Sequence, residues 1–248
     1  MDRTFIDASL TVYGDKIQFC GGRKFSYRSG TKECFQLNIS ISEHSHKWEK
    51  FAELPVDMYG HSSVQVLDDM WVLFTDSIYV VPQKGITYRY KWPYGELPMH
   101  SCAQTNGVNT IVIPDGLEDV YINTDVSSPE SWEKLVTLPT DLKSRACLMM
   151  NSLIYVTGGK LGNGGSRETY VIDIQRRNVT KVGDLLTGRH RHAMCVIDGE
   201  PAVFGGRDSS LTKIGIETFD KTTKTWKQKD INLVVASDSV ATISFPVG

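Results

Sequence analysis

An all-β fold assembled from a repeated unit of four short antiparallel strands is what these 248 residues predict. Three observations carry the prediction. Tryptophans recur at Trp48, Trp92, Trp132 and Trp226, with gaps of 44, 40 and 94 residues; the last gap is two steps of 47 with its midpoint at Val179. A leucine follows each of the five positions by five to seven residues, at Leu54, Leu97, Leu138, Leu185 and Leu233. Paired glycines, Gly21-Gly22, Gly158-Gly159 and Gly205-Gly206, close the second apolar stretch of their units. Self-similarity at this period marks an array of small sheets, each covered by its neighbours because it cannot bury both faces alone.

The strands follow in order within each unit. The first two are apolar stretches around a turn: DASLTVYGDKIQFCGG from Asp7, HSSVQVLDDMWVLF from His61, SCAQTNGVNTIVI from Ser101, RACLMMNSLIYVTGG from Arg145 and RHAMCVIDGEPAVFGG from Arg191. Tyr13-Gly14-Asp15, Asp68-Asp69 and Ile197-Asp198-Gly199 supply turn residues of the kind that tight hairpins prefer. Third strands start near Glu33, Ser77, Asp119, Glu168 and Gly215, and the tryptophan-bearing segments make the fourth. The second and third units replace the double glycine by Thr75-Asp76 and Asp115-Gly116, and the fourth lacks its tryptophan.

Paired glycines after the second strand, an aromatic in the third and a tryptophan in the fourth resemble the kelch repeat, most closely from Arg189 to Leu233. The resemblance implies a single kelch-type β-propeller over residues 1–248, with blades near 7–54, 55–97, 98–138, 139–185 and 186–233. A C-terminal strand over 239–246 is expected to close the ring, Val240–Phe245 being its apolar part, although Ala8–Tyr13 competes for the innermost place in the first blade. Six blades, or a truncated six-bladed parent, is the alternative.

Composition limits the functions. A net charge of −2 argues against broad nucleic-acid binding, which needs a basic domain. No apolar run approaches the length of a membrane span, and Met1–Leu10 does not read as a signal peptide. Five cysteines, Cys20, Cys34, Cys102, Cys147 and Cys195, are odd in number and form no CxxC pair, so reduced, buried thiols in a cytoplasmic protein are expected. Sequons at Asn38 and Asn178 are short enough to arise by chance. His44 and His46 have metal-ligand spacing without a third ligand, and Gly162-Asn163-Gly164-Gly165 is followed by a strand, not by the helix a phosphate loop needs. No metal, no cofactor and no catalytic residues are expected.

The binding residues are sought in the loops. Those between second and third strands, and those entering each unit, project from the same end of a kelch propeller. They carry Arg23, Lys24, Tyr27 and Arg28 in the first unit, Lys143, Arg145, Lys160 and Arg167 in the fourth, and Arg189, His190, Arg191, Arg207 and Lys213 in the fifth. Units two and three offer Asp57, Asp76, Glu96, Asp115 and Glu118 there, with Tyr59, His61 and His100 nearby. This predicts a face that is positive over units one, four and five and negative over two and three, fit to orient an acidic peptide or protein. The segment Arg189-His190-Arg191-His192 reads two ways: as a loop gripping such a partner, or as a solvated loop with His192 settled against its sheet.

The resemblance implies a protein-interaction module and not an enzyme. Many kelch domains serve adaptors of cullin-type ubiquitin ligases as their substrate-recognition part. The repeats leave no room here for the BTB and BACK domains of those adaptors, so a fragment or a competitor of one is implied. Actin binding or structural dimerisation is one alternative. Another is a kelch enzyme, a sialic acid isomerase or an iron-dependent specifier protein. The oligomeric state is left open.

Overall fold

The computed structural model describes residues 5–24, 29–39, 47–209 and 215–230. Among these, five four-stranded antiparallel sheets follow one another, each a meander whose spatial order is its chain order. The first comprises Ser9–Tyr13, Lys16–Cys20, Thr31–Asn38 and Trp48–Met58; the second Ser62–Val66, Asp69–Phe74, Ser77–Pro82 and Tyr88–Lys91. The third comprises Cys102–Thr105, Thr110–Ile113, Asp119–Asn123 and Glu133–Thr137. The fourth is built from Ala146–Met150, Leu153–Thr157, Thr169–Asp173 and Asn178–Lys181; the fifth from Ala193–Ile197, Glu200–Phe204, Glu217–Asp220 and Thr225–Gln228. No helix of the described residues is long and apolar enough to cross a membrane.

Ser9–Tyr13 pairs with Lys16–Cys20 and is the first strand of its sheet. The expected closing strand at 239–246 lies outside the described residues, as do Leu233, His44 and His46. Four of the five first hairpins turn over two residues, the first of them left-handed at Gly14, Leu67, Asn151 and Asp198, as tight turns matched to strand twist require. Pairing of Val66 with Asp69 makes the second of these turns Leu67-Asp68, one residue earlier than the sequence suggests, and Leu67 takes φ 52° at its tip.

The chain divides into two compact units, one of residues up to Thr110 with Asn123–Trp132, the other of Ile111–Ile122 with the residues from Glu133. In the first, Leu54 and Met58 of the first sheet pack with Met70, Val72, Tyr79 and Val81 of the second. Trp132 meets Trp92 edge-on at 5.0 Å and Trp71 at 6.5 Å. In the second, Leu148, Tyr155 and Leu185 pack with Met194, Val203, Phe219 and Trp226. The Trp226 indole N–H donates to Thr169 Oγ1 at 2.9 Å, so this ring fills space between sheets with its one polar atom satisfied. The repeat leucines Leu54, Leu97, Leu138 and Leu185 are all buried.

Cys20 and Cys34 correct the expectation of reduced thiols. They are register partners on adjacent strands, both fully buried, and are joined in a disulfide, whereas Cys195 is a free thiol. Residues 14 apart in sequence met because the intervening loop returns the third strand against the second in this register.

Candidate binding face

The loops that follow second strands and those that enter each sheet meet at one end of each unit. In the second unit, Lys160 N–H donates to Lys143 O at 2.7 Å, Gly159 N–H to Arg189 O at 2.9 Å, and Arg189 N–H to Ser166 O at 3.0 Å. His190 and Arg207 exchange both backbone hydrogen bonds, at 3.0 and 2.9 Å. Gly158 shows why the sequence needs glycine there. Its φ is +62°, and a Cβ would run into the Arg189 carbonyl and lie 2.7 Å from the His192 ring. Thr75, at the corresponding place in the second sheet, takes the same left-handed turn at φ 50°.

The residue before each sheet's inner strand region is also left-handed: Asp7, Gly60, His100, Ser144 and Arg191. Within the first unit Gly60 N–H donates to Asp7 O at 2.8 Å and His100 N–H to Gly60 O at 2.6 Å; within the second, Arg191 N–H donates to Ser144 O at 3.0 Å. Within each unit, neighbouring sheets are thus stitched backbone to backbone. Five unlike residue types occupy this position, so no motif announces it.

The predicted site residues separate into buried and outward groups. Arg189 is corrected: it is 1% exposed, ion-paired with Glu217, and donates to the carbonyls of Gly205 and Gly215 at 3.2 Å each. Burial lowers the affinity of its guanidinium for its proton, and the Glu217 carboxylate opposes that shift. Glu217 also accepts the backbone N–H groups of Leu186 at 2.7 Å and Thr187 at 3.2 Å. Arg189 therefore fastens the loop from inside and cannot reach a partner. His192 is buried too, its Nε2 2.8 Å from the Thr157 hydroxyl; burial, then the charge of Arg189, drives its pKa well below the usual histidine range. His61, at the same point of the second sheet, is pushed down to about 4 by burial.

Arg167, Arg191 and Arg207 are exposed and His190 is half-buried. Arg167 Nε donates to Leu185 O at 2.5 Å, which holds the stem while the head stays in solvent. Lys143 and Lys160 are exposed beside them, as are Leu117 at 45%, Leu161 at 61% and Leu186 at 46%. Arg145 is half-buried and donates to Thr140 O and Leu117 O at 2.9 Å each. Asp115, Asp141 and Glu118 surround it, and Asp115 also accepts the Ser144 N–H. Arg145 therefore lies among carboxylates at this point of the loop end.

In the first unit Arg23 is bound to Asp7, its Nε at 2.9 Å, and lies 4.9 Å above the Tyr59 ring. Asp76 is paired with Arg89 at 3.2 Å, which removes it as a free negative group. Tyr27, Arg28 and Lys213 lie outside the described residues. Sequence reading missed Glu217; the available signal was a carboxylate opening the third strand of the fifth sheet, Glu217–Asp220, 28 residues beyond Arg189.

Sheets of this kind, four-stranded and consecutive in chain order, are those of a β-propeller, and a solved structure described as that of YjhT shares the fold. It superposes with a TM-score of 0.78 over 99% of this chain and 90% of its own, at 9% identity. The chain is similar to kelch-repeat proteins: human Kelch-like protein 35 is 32% identical over 106 residues, 41% of this chain and 18% of that protein. Rat Kelch-like protein 24 is 32% identical over 91 residues, 36% of this chain and 14% of that protein. An F-box/kelch-repeat protein of Arabidopsis thaliana is 33% identical over 78 residues, 32% and 29% of the two chains. The matches thus span under a third of each relative's length. No family model matches the chain.

Proposed function

We propose that this chain is a protein-interaction module without catalytic activity, its five sheets the blades of one propeller, and that its partner docks on the loop end of the second unit. The observation that carries the reading is the division of the arginines there. Arg189 is consumed inside, and its pairing with Glu217 makes a rigid seat from which Arg167, Arg191 and Arg207 point outward beside Leu161 and Leu186. Fixed cations next to apolar side chains suit a peptide segment that carries both carboxylates and large apolar residues. The kelch relatives support the class of function and leave the partner to be found.

The test is affinity capture from the native source with the wild-type chain and with two charge-reversed forms. Arg191→Glu with Arg207→Glu is expected to lose the partner. Lys221→Glu with Lys224→Glu, in the turn at the far end of the fifth sheet, is expected to keep it. Equal recovery by all three forms contradicts the proposal.

A further inference from the structure

We infer that the partner segment is phosphorylated on serine or threonine, and that Lys143 and Lys160 of the fourth sheet seat its phosphate. The inference rests on the docking face proposed above and names the group which that face reads.

A recurring backbone contact carries it. In three sheets the residue before the left-handed strand entry is bridged to the residue after the double glycine: Ile6 to Arg23, Lys143 to Lys160, and His190 to Arg207. Residues bridged in this way hold their Cβ atoms about 5 Å apart, and like charges so placed are destabilising. The first sheet sets isoleucine against its arginine, and the entry positions of the second and third sheets are Tyr59 and Met99. The scaffold therefore accepts an uncharged residue there. The fourth sheet sets lysine against lysine, a choice that costs stability and that the fold does not require.

The surroundings keep both lysines available. Gly116 has φ +71°, and a Cβ there would stand 2.9 Å from both Cγ and Cε of Lys143, so the lysine stem lies across bare backbone. Lys143 and Lys160 are exposed, and among the described residues neither forms an ion pair. The neighbouring carboxylates are engaged with inner arginines: Asp115, Asp141 and Glu118 act on Arg145, and Glu217 and Asp208 on Arg189. Arg191 N–H donates to the carbonyl of Ser144, next in the chain to Lys143, so cations of two successive sheets share one rim.

A phosphomonoester fits this rim. It carries a charge of about −2 near neutral pH and three acceptor oxygens, so one group offers each lysine its own oxygen and offsets both charges. A single carboxylate brings one charge to two lysines. Leu161, next in the chain to Lys160, and Leu117 are exposed and supply apolar surface for the flanking peptide residues. That surface favours a phosphopeptide over a nucleic-acid strand.

The test uses the full chain, immobilised, and three pools of short degenerate peptides with phosphoserine, glutamate or serine at the centre, read by mass spectrometry. The wild-type chain is expected to retain the phosphoserine pool about tenfold better than the glutamate pool, the worth of one hydrogen bond to a charged group. Lys143→Gln with Lys160→Gln is expected to lose that preference and to unfold at a higher urea concentration than wild type, because the like charges are gone. Arg191→Glu with Arg207→Glu is expected to release the phosphoserine and glutamate pools alike. The inference is overturned by equal retention of those two pools, by an unchanged phosphoserine preference in the glutamine variant, by retention of no pool, or by tighter retention of an oligonucleotide. The docking face itself falls only if the Arg191→Glu, Arg207→Glu form still recovers the native partner, so the two failures are distinct.

Discussion

Arg189 and Arg191, two positions apart, have opposite fates. The strand-entry backbone turns left-handed at Arg191 and aims its side chain outward, while Arg189 enters the core to meet Glu217. Breaking a buried pair from one side leaves an uncompensated charge, which costs about 3–5 kcal/mol. Glu217→Ala should lower the unfolding free energy by roughly that amount in urea titration, whereas Arg191→Ala should leave it nearly unchanged. A small loss with Glu217→Ala would place Arg189 at the surface after all. His61 gives a pH dependence. Its folded pKa of about 4 lies below the ordinary value of 6.5, so the unfolded chain takes up the proton first. Stability is therefore full above pH ~6.5, falls as pH drops towards ~4 and levels off below, a loss of about 3 kcal/mol from this residue. His192 shifts in the same direction and steepens the fall. Urea midpoints measured from pH 7 to 4 should show the slope, and His61→Gln should flatten it. No pH dependence between 7 and 5 would mean these rings are solvated.

At the scale of the element, the repeat was readable where one residue type has one physical use. Leu54, Leu97, Leu138 and Leu185 are buried, and the double glycines sit where the chain turns left-handed against its neighbour. The stitches from Asp7 through Gly60 to His100 in the first unit, and from Ser144 to Arg191 in the second, were not readable, because a backbone hydrogen bond asks nothing of the side chain. Nor was the Cys20–Cys34 bond, which depends on the register of two strands separated by a loop. The inner role of Arg189 was hidden as well, since its partner lies 28 residues away on another strand. Two glycines separate geometry from crowding. Gly158 and Gly162 have φ of 62° and 57°, yet a Cβ meets nothing within 4 Å at Gly162 and strikes Arg189 and His192 at Gly158. Gly162→Ala should cost about 1–2 kcal/mol for left-handed backbone alone, and Gly158→Ala clearly more. Equal losses in denaturant titration would show that the loop end is looser than this packing implies.

For the whole molecule, the sheets form a scaffold and the loops carry the chemistry, the division of labour that binding proteins commonly use. The same scaffold presents Arg167, Arg191 and Arg207 at the loop end of the second unit. Charge at such a rim acts mainly on encounter rate and orientation. The measurement that tests this account most directly is protection mapping of the complex with the captured partner, by side-chain footprinting. Protection should centre on residues 160–167, 186–191 and 207–209, with the turns at 150–153, 198–199 and 221–224 unchanged. Protection confined to those turns, or to the outer strands, would contradict it.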